Sequence, residues 1–206
     1  MSRTEPRANG RPRAPAVGAD AALDAGLATL RAFAAADPNV VNGRGLEALV
    51  AGAVHATSRK TWLLPGRRER MCALLRGCAP ESLDAARPYR VVPAGQSPSA
   101  RALVGVGLAL AGENAVAFLG TGSVGYGGFL EAMNIGGLHR APITFLIAWY
   151  ADAGPFAPQL NGGPVAVARG FGWTASEVDG TDAAAVHAVV ASATGPTLVV
   201  ARLRGA

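Results

Sequence analysis

The residues best placed to do chemistry in this sequence form a glycine turn between an apolar strand and a helix. Residues 115–154 read AVAFLGTGSVGYGGFLEAMNIGGLHRAPITFLIAWYADAG. The turn is Gly120-Thr121-Gly122, the helix after it carries Glu131 and Asn134, and a second apolar strand begins after Pro142. We expect the backbone N–H groups of Gly122 and Ser123 to open the helix, and a helix N-terminus of this kind binds anions such as phosphate.

A basic cluster upstream, formed by Arg67, Arg68 and Arg70, could supply positive charge to a phosphate at that turn. Two interpretations stay open. In the first, the arginines and the turn together form a pocket for a phosphate, a nucleotide or a metal-free cofactor. In the second, the arginines are a solvated or subunit-facing cluster, because runs of charge usually face solvent.

The remaining reactive side chains form no recognisable catalytic or metal-binding pattern. None of His55, His139 and His187 stands with a nucleophile in a Ser/His/Asp or Cys/His pattern, and we expect His55 to be a packed or capping residue. Cys72 and Cys78 lack the spacing of a zinc site, so we expect two reduced thiols. The sequence therefore assigns no catalytic residue and predicts no metal site.

Alternating strands and helices position these residues. Apolar runs predict strands at 115–119, 143–149, 174–178 and 197–202, and helical patterns separate them at 127–138, 165–171 and 183–193. Further helices are predicted at 21–36, 45–56 and 68–76, with a short apolar run at 61–65. Successive β-α-β units imply an α/β fold with a parallel sheet flanked by helices on both faces.

Two segments differ from this alternation. Residues 1–17 are rich in Arg, Pro and Gly, which predicts a flexible basic leader and leaves residues 18–206 as a single domain. Residues 100–112 read ARALVGVGLALAG and are nearly continuous in apolar or small side chains. Such a helix is expected to be buried on most sides.

Composition limits the class of protein. Half of the 206 residues are hydrophobic and 16% are charged, which is typical of a folded protein. The positive charge is concentrated in the leader and the basic cluster and forms no basic helix with interleaved aromatic residues, so we expect no nucleic-acid partner. No run approaches the roughly 18 apolar residues of a membrane helix and no secretory signal opens the chain. We therefore expect a cytoplasmic protein without a membrane partner.

These motifs resemble the alpha subunit of the decarboxylating component of thiamine diphosphate-dependent 2-oxo acid dehydrogenases, of the pyruvate and branched-chain type. In that family the glycine turn reads Gly-Asp-Gly, and an Asn-Asn pair lies about thirty residues further on. Here Thr121 takes the position of the Asp, and Trp149-Tyr150 takes that of the Asn-Asn pair. The likeness extends upstream through residues 45–77 and downstream through the turn Asp179-Gly180-Thr181-Asp182.

The resemblance implies the thiamine diphosphate-binding fold and a thiamine diphosphate cofactor held through Mg²⁺. It places Arg68 on an arginine that contacts the diphosphate and Gly120-Thr121-Gly122-Ser123 on the glycine turn. Thr121 and Tyr150 stand where the family has metal ligands, and Asp152 stands where a backbone carbonyl binds the metal. Mg²⁺ prefers carboxylate, amide and carbonyl oxygens in octahedral geometry. We therefore expect the metal-binding motif to be degenerate.

The resemblance also implies a partner and an activity. The family's alpha subunit pairs with a beta subunit in an assembly of two alpha and two beta chains, and a loop with an active-site His follows the last strand. The sequence through Ala206 shows no such loop, so we expect a shortened, non-catalytic or repurposed alpha-like subunit. An active dehydrogenase subunit with an altered cofactor site is the alternative. A binding module for another anionic ligand is a third hypothesis.

Overall fold

The computed structural model describes residues 17–36, 45–85, 89–93, 97–150 and 160–203. Most of the predicted leader, residues 1–16, lies outside the described residues, and the first helix begins at Val17. Asp152 also lies outside them.

Seven helices and five strands make up the described part of the chain. The helices are α1 (Val17–Ala36), α2 (Glu47–His55), α3 (Glu69–Leu75), α4 (Pro98–Leu110), α5 (Gly127–Leu138), α6 (Gly163–Gly170) and α7 (Ala183–Ala191). The strands are β1 (Trp62–Leu64), β2 (Ala115–Gly120), β3 (Ile143–Tyr150), β4 (Thr174–Asp179) and β5 (Thr197–Leu203). Short 3-10 helices cover Gly66–Arg68, Pro80–Ala85 and Thr121–Ser123.

The strands form one five-stranded sheet in the order β1-β2-β3-β5-β4. Every pairing is parallel: Ala115 pairs with Ile143 across β2 and β3, and Thr197 pairs with both Thr144 and Thr174. The α/β fold with a parallel sheet is therefore confirmed. Because all strands run the same way, their carboxyl ends lie at one edge of the sheet, where open α/β sheets bind ligands.

Helices cover both faces of the sheet, and the strand side chains alternate between them. On one face, α1, α2, α3 and α7 pack against Phe118, Leu146 and Val199. On the other, α4, α5 and α6 pack against Phe145 and Leu198. Within the described part of the chain, no helix is both long and apolar enough to cross a membrane.

Helix α4 is less buried than its composition predicts. Ala102, Val106 and Ala109 pack against the sheet, but the opposite side of the helix is exposed, with Leu110 retaining 50% of its accessible surface. The prediction of burial on most sides was therefore wrong. One face of α4 meets the sheet, its flank meets α5, and no described residue covers the outer face.

Helix α5 approaches the turn between α6 and β4 closely. A β-carbon on Gly137 would overlap the carbonyl oxygen of Phe171, and one on Gly136 would overlap the ring of Trp173. The Trp173 indole N–H in turn donates a hydrogen bond of 2.7 Å to the carbonyl of Met133. The two glycines thus let α5 seat the indole, whose ring lies 4.7 Å from that of Phe145.

Candidate functional site

The carboxyl edge of the sheet brings the two predicted motifs together. The chain after β1 supplies Arg67 and Arg68, and the end of β2 supplies Gly120 and the turn that follows it. These segments enclose a pocket of about 180 Å³. Its described lining comprises Arg67, Arg68, Pro98, Arg101, Gly120 and Ser123.

Arg101, in the first turns of α4, is the arginine that the sequence interpretation missed. Its Nη1 donates a hydrogen bond of 2.9 Å to the carbonyl of Phe118 in β2, which holds the guanidinium beside the end of that strand. The guanidinium also lies directly over Gly66, where any β-carbon would overlap it. Gly66 has φ +59°, a conformation that favours glycine, so the backbone before Arg67 is shaped to admit the Arg101 side chain.

Arg68 is a buried cation without a described counter-charge. The residue is partly buried, and its Nε atom is fully buried with no hydrogen-bond partner among the described residues. The pKa of Arg68 is lowered to about 10, chiefly by burial; the nearby Arg101 guanidinium contributes to the lowering, and Cys72 and Tyr150 oppose it. A cation held in this way gains more from an incoming anion than a solvated arginine does.

Ser123 contributes a hydroxyl to the pocket from a buried position. Its Oγ accepts the Gly120 N–H at 3.0 Å, which leaves its own proton for an acceptor in the pocket. The prediction that Gly122 and Ser123 open the long helix was wrong. They belong to a single 3-10 turn, and α5 begins only at Gly127.

Thr121 holds two strands together and does not line the described pocket. Its Oγ1 donates to the carbonyl of Ala148 at 3.2 Å and accepts the N–H of Tyr150 at 2.9 Å. Thr121 is almost fully buried. The proton of the hydroxyl and one of its two lone pairs are therefore used within the protein.

The other predicted site residues divide into near and distant groups. Tyr150 ends β3 close to Arg68; burial raises the pKa of its phenol, the Arg68 charge opposes that shift and Glu47 adds to it. Arg67 is exposed at the rim of the pocket. Arg70 lies on α3 and is not among the residues that line the pocket, whose third arginine is Arg101.

The described lining of the pocket offers no carboxylate or amide side chain to Mg²⁺. No three His, Cys, Asp or Glu side chains within the described ranges lie close enough together to bind a metal ion. The Thr121 hydroxyl is already engaged by β3, and the pocket is lined by arginines, which repel a divalent cation. The same donor set fits an anion, because guanidinium groups and a hydroxyl proton are donors for phosphate oxygens.

Neither cysteine is a candidate nucleophile. Both thiols are free and buried, as the sequence predicts for reduced cysteines. Burial raises the pKa of Cys72 to about 12, which keeps it protonated and unreactive. His55 is half-buried and packed against Gly26 of α1, and its Nε2 has no hydrogen-bond partner among the described residues, so its predicted packed role is confirmed.

A second cavity, of about 250 Å³, lies at the opposite edge, where the strands begin. Its described lining includes Thr57, Ser58, Asn114 and Thr144 and no charged side chain. Neutral hydroxyls and an amide at the amino ends of the strands offer weaker recognition of an ionic ligand than the arginines at the carboxyl ends. The carboxyl-edge pocket is the stronger candidate site.

Comparison with known proteins gives the same family as the motifs. The model of the family described as "Dehydrogenase E1 component" matches residues 83–196. Two relatives, each named "3-methyl-2-oxobutanoate dehydrogenase subunit alpha", come from Mycobacterium tuberculosis strains CDC 1551 / Oshkosh and ATCC 25618 / H37Rv. Each is 30% identical over 185 residues, which cover 77% of this chain and 50% of the relative. The chain thus spans about half the length of the curated relatives it matches.

Proposed function

Because the chain belongs to the dehydrogenase E1 component family, we propose that it acts as an alpha-like subunit that is non-catalytic or repurposed. In this proposal it pairs with a beta-like chain and does not bind magnesium–thiamine diphosphate in the way its family does. The alpha-like assignment is supported by the family match and by the relatives, whose printed names call each a subunit alpha.

The proposal of a degenerate metal site rests on the hydrogen bonds of the Thr121 hydroxyl. A metal ligand must direct a lone pair at the ion, but the Thr121 hydroxyl is held in another orientation, because it accepts the N–H of Tyr150 through one of its two lone pairs and donates its proton to the carbonyl of Ala148. Its neutral oxygen also lacks the negative charge that Mg²⁺ prefers. Arg68 and Arg101 add positive charge to the same edge. These features favour an anion and disfavour a divalent cation.

An active subunit with an altered cofactor site is the second candidate. One observation favours it: Arg68, Gly120 and Ser123, all predicted from the family's diphosphate site, line one pocket. If the arginines took over the charge-neutralising role of the metal, the diphosphate end of the cofactor could still be held. The family is thiamine diphosphate-dependent, so cofactor binding by some route is a reasonable alternative.

The exposed apolar face of α4 and α5 supports a protein partner. Within the described ranges, the exposed large hydrophobic residues are Leu103, Val104, Leu110, Tyr126 and Leu138. All five lie on these two helices or immediately before α5, and Glu131 and Asn134 are exposed on α5 as well. Grouped exposed apolar residues mark interaction surfaces. We propose that this face, the α4–α5 face, contacts the beta-like chain.

Native mass spectrometry of the complex purified from the source organism tests the proposed function. We expect a complex with a beta-like chain and no thiamine diphosphate mass, with or without a chelator. A complex that carries thiamine diphosphate and loses it on chelation would contradict the proposal and support the active-subunit alternative.

A paired substitution tests the metal-site argument separately. We expect Thr121→Asp with Tyr150→Asn, studied in the complex, to gain magnesium-dependent binding of thiamine diphosphate that the unaltered protein lacks. Thr121→Asn with Tyr150→Asn is the matched control, because it supplies two amides but no carboxylate. Equal cofactor binding by the control and the Asp variant would show that the missing carboxylate is not the cause.

A further inference from the structure

Arg68 and Arg101 line the same pocket, and the burial of the Arg68 cation is unfavourable without an anion. The Arg68 Nε is buried without a described acceptor, and the Arg101 guanidinium is partly buried at the end of β2. Their like charges interact, since Arg101 lowers the pKa of Arg68. Two neighbouring cations at a partly buried site favour an anion that touches both.

We infer that this pocket binds a phosphate or diphosphate group without a divalent cation, with Arg68 and Arg101 as the principal ligands. Ser123 donates its free hydroxyl proton, and Arg67 adds charge from the rim. The inference rests on the proposed function in one respect, namely that magnesium is not part of the site.

The position of Arg101 is built into the backbone. Its hydrogen bond to the Phe118 carbonyl fixes one side of the guanidinium, and the bare Cα of Gly66 lets the group lie flat over the chain that leads to Arg67. A solvated surface arginine needs neither feature. The site is therefore pre-organised, which reduces the entropy lost when a ligand binds.

The size of the pocket limits what it holds. At about 180 Å³ it is smaller than the roughly 300–1,000 Å³ of a pocket that encloses a drug-sized ligand. It accommodates the anionic group of a ligand, while the remainder of a larger molecule would extend beyond the described lining. The ligand class is consequently defined by its phosphate or diphosphate end.

Calorimetric titration of the full chain in excess EDTA tests the inference. Inorganic phosphate, inorganic pyrophosphate and thiamine diphosphate are titrated separately, so that the anion is distinguished from the cofactor that carries it. We expect pyrophosphate to bind at one site per chain without added metal. Binding that occurs only after magnesium is restored would overturn the inference.

Substitution of Arg68 and of Arg101 tests whether these two side chains bind the pyrophosphate. Loss of a hydrogen bond to a charged group costs about 1.5–3 kcal/mol, so Arg101→Gln and Arg68→Met should each weaken pyrophosphate binding by about tenfold to a hundredfold. Arg140→Gln, which removes an exposed arginine at the end of α5, is the control and should bind as the unaltered chain does. If all three variants bind equally, the anion sits elsewhere and the inference fails.

The melting temperature of Arg68→Met distinguishes loss of a ligand contact from misfolding of the variant. Because the Arg68 Nε makes no described hydrogen bond, replacing this buried cation by an apolar side chain should leave the melting temperature unchanged or raise it. A variant that melts at least as high as the unaltered chain yet loses pyrophosphate identifies Arg68 as a ligand. If Arg68→Met melts normally and retains full affinity, the assignment of Arg68 is wrong.

The two proposals fail in different ways. Metal-free pyrophosphate binding that depends on Arg68, together with a complex that carries magnesium–thiamine diphosphate, would support the pocket and contradict the non-catalytic role. No pyrophosphate binding in EDTA, together with a complex free of cofactor, would overturn the pocket and leave the proposed function standing.

Discussion

At the scale of single residues, Thr121 has a structural role that its hydrogen bonds define. Its hydroxyl connects the turn after β2 to β3 through two hydrogen bonds at an almost fully buried position. An aspartate at this position would carry a charge that needs a cation nearby. The threonine needs none, and the arginines of the pocket can then face an anion.

We expect Thr121→Val to destabilise the fold by about 1–3 kcal/mol, because it leaves the partly buried N–H of Tyr150 without its acceptor. Urea unfolding followed by circular dichroism measures the change. Thr29→Val, at an exposed position of α1 where the hydroxyl bonds to Ala25, is the matched control and should change stability by no more than about 0.5 kcal/mol. A Thr121→Val variant as stable as this control would show that the hydrogen bonds contribute little.

His55 gives the fold a pH dependence of definite sign. Burial lowers its pKa below the ordinary 6.5, and His187 and Arg76 lower it further. The unfolded chain therefore binds a proton more readily than the folded chain below pH 6.5, so the free energy of unfolding falls as the pH falls.

We expect the urea midpoint to drop between about pH 7.5 and about pH 5.5, and the drop to be smaller in His55→Gln. His139→Gln, at an exposed position, should retain the full drop. If His55→Gln behaves like the unaltered chain, another group causes the acid sensitivity.

At the scale of elements, the sequence predicts the β-α alternation well because β2, β3 and β5 are apolar runs and glycine or proline stands at an end of each strand from β2 onward. The predicted helix 127–138 coincides with α5, and the strands from β2 onward are predicted to within one residue at each end. Such signals are local. The sequence could not reveal that Arg101 joins Arg67 and Arg68, because the hydrogen bond to Phe118 and the space over Gly66 arise only when β1 and β2 pair.

The exposure of α4 was missed for a related physical reason. Apolar content shows that a helix needs apolar surroundings, but it does not show whether those surroundings come from the same chain. Arg101 carried one usable signal, as a charged residue in the first turns of an otherwise apolar helix. Asp152 lies outside the described residues, and its role stays a prediction.

Substitution of one glycine on α5 and one on α4 tests how closely each helix packs against its neighbours. Gly137→Ala should destabilise the chain by about 1–3 kcal/mol, because its β-carbon would overlap the Phe171 carbonyl. Gly107→Ala, at an exposed position of α4 with no atom near the added carbon, should stabilise it by about 0.5–1 kcal/mol through helix propensity. Thermal unfolding of both variants measures the contrast. Equal effects would mean that α5 is not held against the α6–β4 turn.

At the scale of the whole molecule, the two sides of the sheet differ in what they leave uncovered. One face packs four helices into a core that extends from α1 to α7. The other is covered by α4, α5 and α6, and the α4–α5 face keeps large apolar residues exposed, including Leu138 at 75% of its accessible surface. The carboxyl-edge pocket includes Pro98 and Arg101 of α4, so a partner on the outer side of this helix would lie close to the pocket.

The α4–α5 face is tested by introducing charge where apolar side chains are exposed. Leu103→Glu with Leu110→Glu should leave the melting temperature of the isolated chain nearly unchanged, because neither side chain is buried, and should abolish association with the beta-like chain. Native mass spectrometry of tagged chains from the source organism measures the association. Arg140→Gln with His139→Gln, two exposed changes just beyond α5, is the matched control and should retain the partner.

The captured chain supports the proposal only if it is a beta-like member of the family and is present in the same number of copies as the tagged chain. If the unaltered chain instead self-associates through this face, and the double glutamate variant is monomeric, then a second copy occupies the surface and the partner assignment is wrong.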